Sequence, residues 1–312
     1  MRAAMARGPG TIVLEEVERP TPGAGDVVVR VGACGICGSD LHWYHDQLKI
    51  PQVCPGHEIA GEVAMVGPGV TALRAGDRVS VEGIASCGVC RYCLAGDYHY
   101  CGRIGIVGMT IPGGYAEYLK IPARHCFDVG TLDVATAALS EPLGVAVHGV
   151  RIAGLRIGQR VVVLGAGTIG LMAVVAARAV GADEGALFEA VGESPVDLVI
   201  ESVGGTARTL DTAVAICRPG GTICLLGVYT TSVPFPALFT VAKELTIKGS
   251  FVYNRAGSRA DFDVVVDLLR RHGDRLGATM ITHRIPLADV AQAFRTAADK
   301  TSGSIKVTVT NP

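Results

Sequence analysis

Ten cysteines lie along the chain, and their spacing is uneven. Cys87, Cys90, Cys93 and Cys101 form a C-x-x-C-x-x-C-x7-C run. Four thiolates at that spacing suit a tetrahedral zinc ion in a closed site, which holds a loop and leaves no position open for substrate. A disulfide-bonded loop and an iron–sulfur cluster remain alternative uses of the same residues. A second set comprises Cys37, within Cys34-Gly35-Ile36-Cys37-Gly38-Ser39-Asp40-Leu41-His42, and His57 with Glu58, within Pro55-Gly56-His57-Glu58. Thiolate, imidazole and carboxylate are zinc ligands, and a catalytic zinc takes three of them with one position open. Asp40 is expected to accept the other ring N–H of His57 and fix its tautomer. The alternative is a buried cysteine beside a hydrogen-bonded core histidine.

A third feature is the stretch RVVVLGAGTIGLMAVVAARAVG, residues 160–181. A short apolar strand runs directly into Gly165-Ala166-Gly167-Thr168-Ile169-Gly170, and an apolar helix follows. That order is the dinucleotide fingerprint. Gly165 permits the tight turn, Gly167 lets backbone approach a pyrophosphate, and Gly170 lets helix and strand pack closely. The helix start then faces the phosphates with its unpaired N–H groups. An ordinary glycine-rich strand–helix turn is the competing reading.

These sites need elements to hold them. Residues 1 to about 140 read as β-rich: Val27 to Val31, Ile59 to Val66 and Arg78 to Val81 are apolar or alternating runs between glycine- and proline-rich turns. After Ser140-Glu141-Pro142-Leu143-Gly144 the pattern becomes helical. Val196 to Ile200, Thr222 to Leu226 and Leu245 to Gly249 then read as buried strands. A helix capped by Thr206, with Leu210, Ala213, Val214 and Cys217 on one face, falls among them and stops at Arg218-Pro219-Gly220-Gly221. This alternation predicts a parallel doubly wound sheet with ligands at the carboxyl ends of its strands, which adds Leu226 and Gly227 to the cofactor candidates. Phe262, Val265, Val266 and Leu269, behind Asp261 as cap, form one core stripe; Val290, Ala293, Phe294 and Ala297 form another. The tail from Ile305 to Val309 alternates like a strand.

Composition agrees with a well-cored protein of two domains: 312 residues, 49% hydrophobic and 18% charged. A net charge of −1 gives no electrostatic reason to expect a nucleic-acid or anionic-membrane partner. Neither a signal peptide nor a membrane span is visible, so a cytoplasmic protein is the expectation.

Taken together, CGICGSDLH, PGHE, GDRV at 76–79, the four-cysteine run, GGYAEY at 113–118, SEPLGVAVHG at 140–149 and GAGTIG resemble the zinc-dependent medium-chain alcohol dehydrogenase family, nearest its sorbitol, threonine and butanediol dehydrogenase branch. The resemblance implies an α/β protein. A GroES-like β-rich catalytic domain would occupy residues 1–145, a Rossmann doubly wound parallel sheet residues 146–254, and a C-terminal part, residues 255–312, would return to the catalytic domain. It implies a catalytic zinc at Cys37, His57 and Glu58, with Glu141 at or near the metal, and a structural zinc at Cys87, Cys90, Cys93 and Cys101. It also implies a proton relay through Ser39 and His42, a small alcohol or polyol as substrate, and a homodimer or homotetramer; NAD rather than NADP is the expected cofactor because no basic residue stands just after Glu189 to meet a 2′-phosphate. Trp43, Tyr44 and His45 are expected near the pocket mouth.

One departure stands out. Val161 to Asp197 spans room for a single βαβ unit, so the nucleotide domain is shortened after residue 182. Either Ala186 to Phe188 is a short second strand that carries Glu189 as the ribose-binding acid, or Ala186 to Val191 is a helix and that strand is missing. The second reading is preferred for its helical spacing. It brings in a rival of another class, a zinc-bearing but cofactor-impaired relative; a zinc-free quinone reductase is a third possibility.

Overall fold

The computed structural model describes residues 1–182 and 196–311. The chain divides into two compact units, Met1–Glu141 with Asn254–Pro312, and Pro142–Tyr253.

The first unit is built on a sheet of seven strands among the described residues. Its central strand is Asp26–Gly35. Val27, Val28 and Val29 are all fully buried, so both faces of this strand are covered, and β-branched side chains suit that position. Glu58–Val66 pairs antiparallel along one edge. On the other edge Tyr118–Pro122 covers residues 26–30 and Lys306–Thr310 covers residues 33–35, both antiparallel. Arg78–Val81 and Cys126–Asp128 extend the sheet beyond Glu58–Val66. Ile281–Pro286 lies parallel to Lys306–Thr310 on the far side. Helix Asp261–Met280 buries Phe262, Val265, Val266 and Leu269, and helix Val290–Ala298 buries Val290, Ala293 and Phe294, the stripes visible in the sequence.

Asp261 is not the cap of its helix. Ala260 holds that position, and the Asp263 carboxylate accepts the Ala260 N–H at 2.7 Å. Asp261 instead accepts the N–H of Asn254 at 2.9 Å.

Among the described residues the second unit holds four parallel strands in the order Val161–Leu164, Val196–Glu201, Cys217–Leu225, Thr246–Gly249. Helix Thr168–Val180 follows the first strand. Helix Thr209–Ile216 buries Leu210, Ala213 and Val214 as expected, but it starts after Arg208, not Thr206. Nor does Pro219-Gly220-Gly221 separate helix from strand. Strand Cys217–Leu225 contains it, and the register slips between the Val196–Cys217 and Leu198–Thr222 pairs to take up the extra residues. The question of a second strand and of Glu189 falls at 183–195, outside the described residues. Among the described residues no helix is long and apolar enough to cross a membrane.

Candidate metal centres and cofactor site

The four-cysteine lobe is the set with complete geometry. Among the described residues, Cys87, Cys90, Cys93 and Cys101 are the group of three or more metal-ligating side chains whose ligand atoms all lie within 4.8 Å of one another. Cys90 and Cys93 Sγ are 3.5 Å apart, and Cys87 and Cys93 Sγ 3.8 Å. A tetrahedron with metal–sulfur bonds of about 2.3 Å has edges of roughly 3.8 Å. All four are free thiols, which removes the disulfide-bonded loop. Short turns place them: Cys90 caps helix Arg91–Ala95, and Gly96 ends it in the left-handed region at φ 90°. Backbone N–H groups near Val89 and Cys90 pull the Cys87 thiol down to about 5, while burial pushes Cys93 up to about 11. At its root, the lobe is tied to the sheet by a buried pair that sequence reading missed. His125 Nδ1 lies 2.6 Å from Glu82 Oε2, and His125 Nε2 accepts the Ser86 N–H at 3.0 Å.

The second set is arranged differently. Cys37 caps helix Gly38–Tyr44, and Asp40 accepts the Cys37 N–H at 3.1 Å. Asp40 does not serve His57. Its carboxylate is taken by the Tyr115 hydroxyl at 2.7 Å and by Trp43 Nε1 at 3.3 Å, because both rings pack over this short helix. His57 Nδ1 is therefore buried with no hydrogen-bond partner, while Nε2 lies 3.5 Å from Ser39 Oγ. Burial by itself would lower the pKa of this ring. The negative surroundings of Cys37, Asp40 and Glu141 outweigh that and hold it well above the ordinary value. Glu141 is buried in the first turn of helix Ser140–Ala153.

Glu58 is buried against Gly35, at which any side chain would strike its carboxylate. Oε1 accepts from Lys306 Nζ at 2.6 Å, and Lys306 also donates to the Ile36 carbonyl at 2.8 Å. Oε2 has no partner. Cys37, His57, Glu58 and Glu141 thus share one neighbourhood, but their ligand atoms do not close to the 4.8 Å spacing of the lobe. Lys306 was missed from the sequence; its signal is a lone charge opening the otherwise uncharged strand KVTVT.

Ser39 and His42 do not bond to each other: His42 Nδ1 lies 2.7 Å from Gln47 Oε1. Trp43 and Tyr44 are not at a pocket mouth either. Both are buried against Phe294 at ring distances of 5.2 and 5.3 Å, since their helix presents its apolar face to helix Val290–Ala298; His45 is exposed.

In the second unit the fingerprint has its expected shape. Gly165 has φ 112°, which demands glycine. A side chain on Gly170 would run into the Gly165 carbonyl, so helix and strand meet closely. Gly167 is the exposed N-cap, with no side-chain cap and open space where a Cβ would stand; Thr168 and Ile169 form the first helical turn, half-buried. Gly227 follows strand Cys217–Leu225 close to Gly204, and the Leu226 side chain is buried against Gly149. Sequence reading missed Glu201, the buried acid that ends strand Val196–Glu201.

The alcohol dehydrogenase GroES-like domain model matches residues 23–131, and the zinc-binding dehydrogenase model matches residues 169–271. L-arabinitol 4-dehydrogenase of Hypocrea jecorina is 32% identical over 91% of this chain and 85% of its own. L-threonine 3-dehydrogenase of Pyrococcus abyssi is 35% identical over 76% of this chain and 78% of its own. The solved structure of an alcohol dehydrogenase from Escherichia coli CFT073, complexed with NADH, superposes with a TM-score of 0.85 at 27% identity, covering 100% of this chain and 99% of that one. The chain belongs to the zinc-dependent medium-chain alcohol and polyol dehydrogenase family. It is an oxidoreductase acting on CH–OH donors, and its substrate is a small molecule. Matches of this extent, running through both units, argue against a cofactor-impaired relative.

Proposed function

We propose that the protein oxidises a polyol or another secondary alcohol with NAD, using one zinc ion in catalysis and a second in the cysteine lobe. The observation that carries the reading is the pair of orphaned atoms beside Cys37. His57 Nδ1 and Glu58 Oε2 are buried without partners, and buried polar atoms are rarely left so. A thiol, an imidazole and two carboxylates, Glu58 and Glu141, make a donor set that fits zinc. The lobe fits zinc by its sulfur spacing. Zinc at the first set would supply Lewis-acid activation of the substrate hydroxyl.

The chain's own residues do the rest. Cys37, His57 and the two carboxylates hold the metal, and Lys306 orients Glu58. Ser39, half-buried beside His57, accepts the hydroxyl proton; the two side chains not being bonded, an intervening water would carry it on to His42, whose partly exposed edge reaches solvent. Gly165, Gly167, Thr168, Ile169 and Gly170 hold the pyrophosphate at the helix start, which fits because Gly167 leaves the approach open. Leu226 and Gly227 support the cofactor at the end of a neighbouring strand.

The test has three readings. Metal analysis should find about two zinc ions per chain, and His57→Ala should lose about one. NADH should quench or enhance fluorescence with micromolar saturation; no saturation in the millimolar range refutes the cofactor reading. A panel of polyols, diols and threonine with NAD should show turnover on at least one. The apolar side chains exposed on helix Ala237–Ala242, Leu238, Phe239 and Val241, support self-association as a homodimer or homotetramer, which light scattering will size.

A further inference from the structure

We infer that Tyr115 is a positioning residue for the first metal set: its ring and hydroxyl brace the separate segments that carry Cys37, His57 and Glu58. The inference rests on the metal reading above. Tyr115 stands just before strand Tyr118–Pro122 and is fully buried. Its hydroxyl lies 2.7 Å from Asp40 Oδ2 and 3.0 Å from the Gly35 carbonyl. The same Asp40 oxygen accepts the N–H of Cys37 at 3.1 Å, and the other takes Trp43 Nε1 at 3.3 Å. The hydroxyl has one proton to give, and the carboxylate is the nearer and the stronger acceptor. Burial, and then the Asp40 charge, keep that proton on the hydroxyl. On its other side the ring meets the turn that delivers His57. Gly56 has φ 96°, and a Cβ there would come within 3.0 Å of two Tyr115 ring carbons. The Tyr115 N–H donates to the Pro55 carbonyl at 3.1 Å, and the Gly114 N–H to the Gly56 carbonyl at 2.9 Å. Gly35, whose carbonyl faces the hydroxyl, backs onto Glu58: a Cβ there would strike Oε2, the oxygen without a partner.

A phenylalanine would fill the same space, so packing alone does not call for the hydroxyl. A buried hydroxyl is costly unless it is bonded. Here the bond goes to a carboxylate whose other work is to fix the backbone of a metal-ligating residue. Cys37 is the N-cap of helix Gly38–Tyr44, at φ −86° and ψ 157°, and Asp40 is the acid that closes the cap onto it. Those backbone angles set the direction in which Cys37 presents its sulfur. Without the hydroxyl, Asp40 Oδ2 loses its shortest bond, and the cap loosens at the residue that must grip the metal. The sheet does not make up for this. Strand pairing joins Gly35 to Glu58 and goes no further. Cys37 and His57 both lie just past that pair, where no ladder holds them. Tyr115 acts across this gap, on one side through Asp40 and on the other through Gly56. Partners that orient metal ligands from behind are worth about 10- to 100-fold in metal affinity.

Competition for zinc by a chelator, on wild-type and Tyr115→Phe proteins, tests this, with His57→Ala to identify the zinc of the first set. Tyr115→Phe is expected to surrender that zinc with an affinity about tenfold lower, while the lobe holds its own as in wild type. In the His57→Ala background, Tyr115→Phe is expected to change neither the amount nor the affinity of the zinc that remains. Cobalt(II) in the first set reports ligand geometry through its visible absorption. Its band is expected to move in Tyr115→Phe at full occupancy, a mark that lost core packing alone does not leave. Equal or tighter zinc binding, an equal loss at both zinc ions, or an unmoved cobalt band overturns the inference and leaves Tyr115 as a core residue. A wild-type protein that takes up zinc in the lobe alone overturns the metal reading itself, and this inference with it. Should Tyr115→Phe fail to fold, Asp40→Asn decides: it leaves the ring in place, and an unchanged zinc affinity at the first set refutes the idea.

Discussion

Lys306 and Glu58 are a buried pair whose cost is met only while both partners are present. Burial opposes the ammonium, and Glu58, then Cys37, outweigh it and hold Lys306 above its ordinary pKa. Lys306→Met would leave Glu58 charged and unpaired in the core, at a cost of about 3–5 kcal/mol. Urea unfolding should show that loss, and the double variant with Glu58→Gln should recover most of it. A double variant no more stable than Lys306→Met would refute the pairing argument. At this scale the sequence was half legible. Cys37, His57, Glu58 and Glu141 announce themselves by residue type and local motif. Their partners do not, because Lys306 and Tyr115 reach them from distant strands, and nothing near residue 40 tells that its carboxylate will go to Tyr115 and not to His57.

Elements carry two further predictions. Gly170 lets helix Thr168–Val180 sit against the strand before it, and a Cβ there meets the Gly165 carbonyl. Gly170→Ala should cost about 1–3 kcal/mol and weaken NADH binding at least about tenfold, by moving the helix start from the phosphates. Undiminished NADH binding would show that the turn does not hold the cofactor. Asp197, in the neighbouring strand Val196–Glu201, accepts the Arg160 N–H at 2.9 Å and Arg218 Nε at 2.7 Å. Burial opposes its ionisation, but these donors outweigh burial and hold the carboxyl below its ordinary 3.8. The unfolded carboxyl takes up its proton first as pH falls. Its contribution is thus full above roughly pH 4 and fades below, as the folded group titrates in turn. Asp197→Asn should cost about 1 kcal/mol at pH 7, since the pair is partly exposed, and much less near pH 3. An equal gap at both pH values would count against it. Strands such as Arg78–Val81 and Val161–Leu164 were legible to the residue, because apolar runs between glycines leave little choice. Helix starts were not: Thr206 and Asp261 look like caps, but tertiary partners claim the neighbouring side chains, Thr209 for Glu201 and Asp261 for Asn254.

For the whole molecule, the lobe should act as a metal-dependent clasp. Cys101→Ser is expected to lower zinc content by about one ion per chain and to open residues 87–101 to proteases, with the first metal set still loaded. Mass mapping of the cuts checks this, and cuts elsewhere first would refute it. The two-unit plan could be expected from the switch between β-rich and alternating patterns, but the shortened segment after residue 182 could not be settled by periodicity, since ALFEAV suits either a strand or a helix.

Strand Lys306–Thr310 lies against Asp26–Gly35, from which it is far apart along the chain. During synthesis residues 33–35 of that strand must therefore wait uncovered, and Glu58 without its cation, until residues 306–310 have been made. The contiguous stretch Pro142–Tyr253 has its described strands to hand earlier and can close before residues 306–310 leave the ribosome. A stalled or prematurely terminated product would then carry a finished nucleotide unit beside an unfinished metal-binding one, and a chaperone guarding this protein would find its client in the half that was made first.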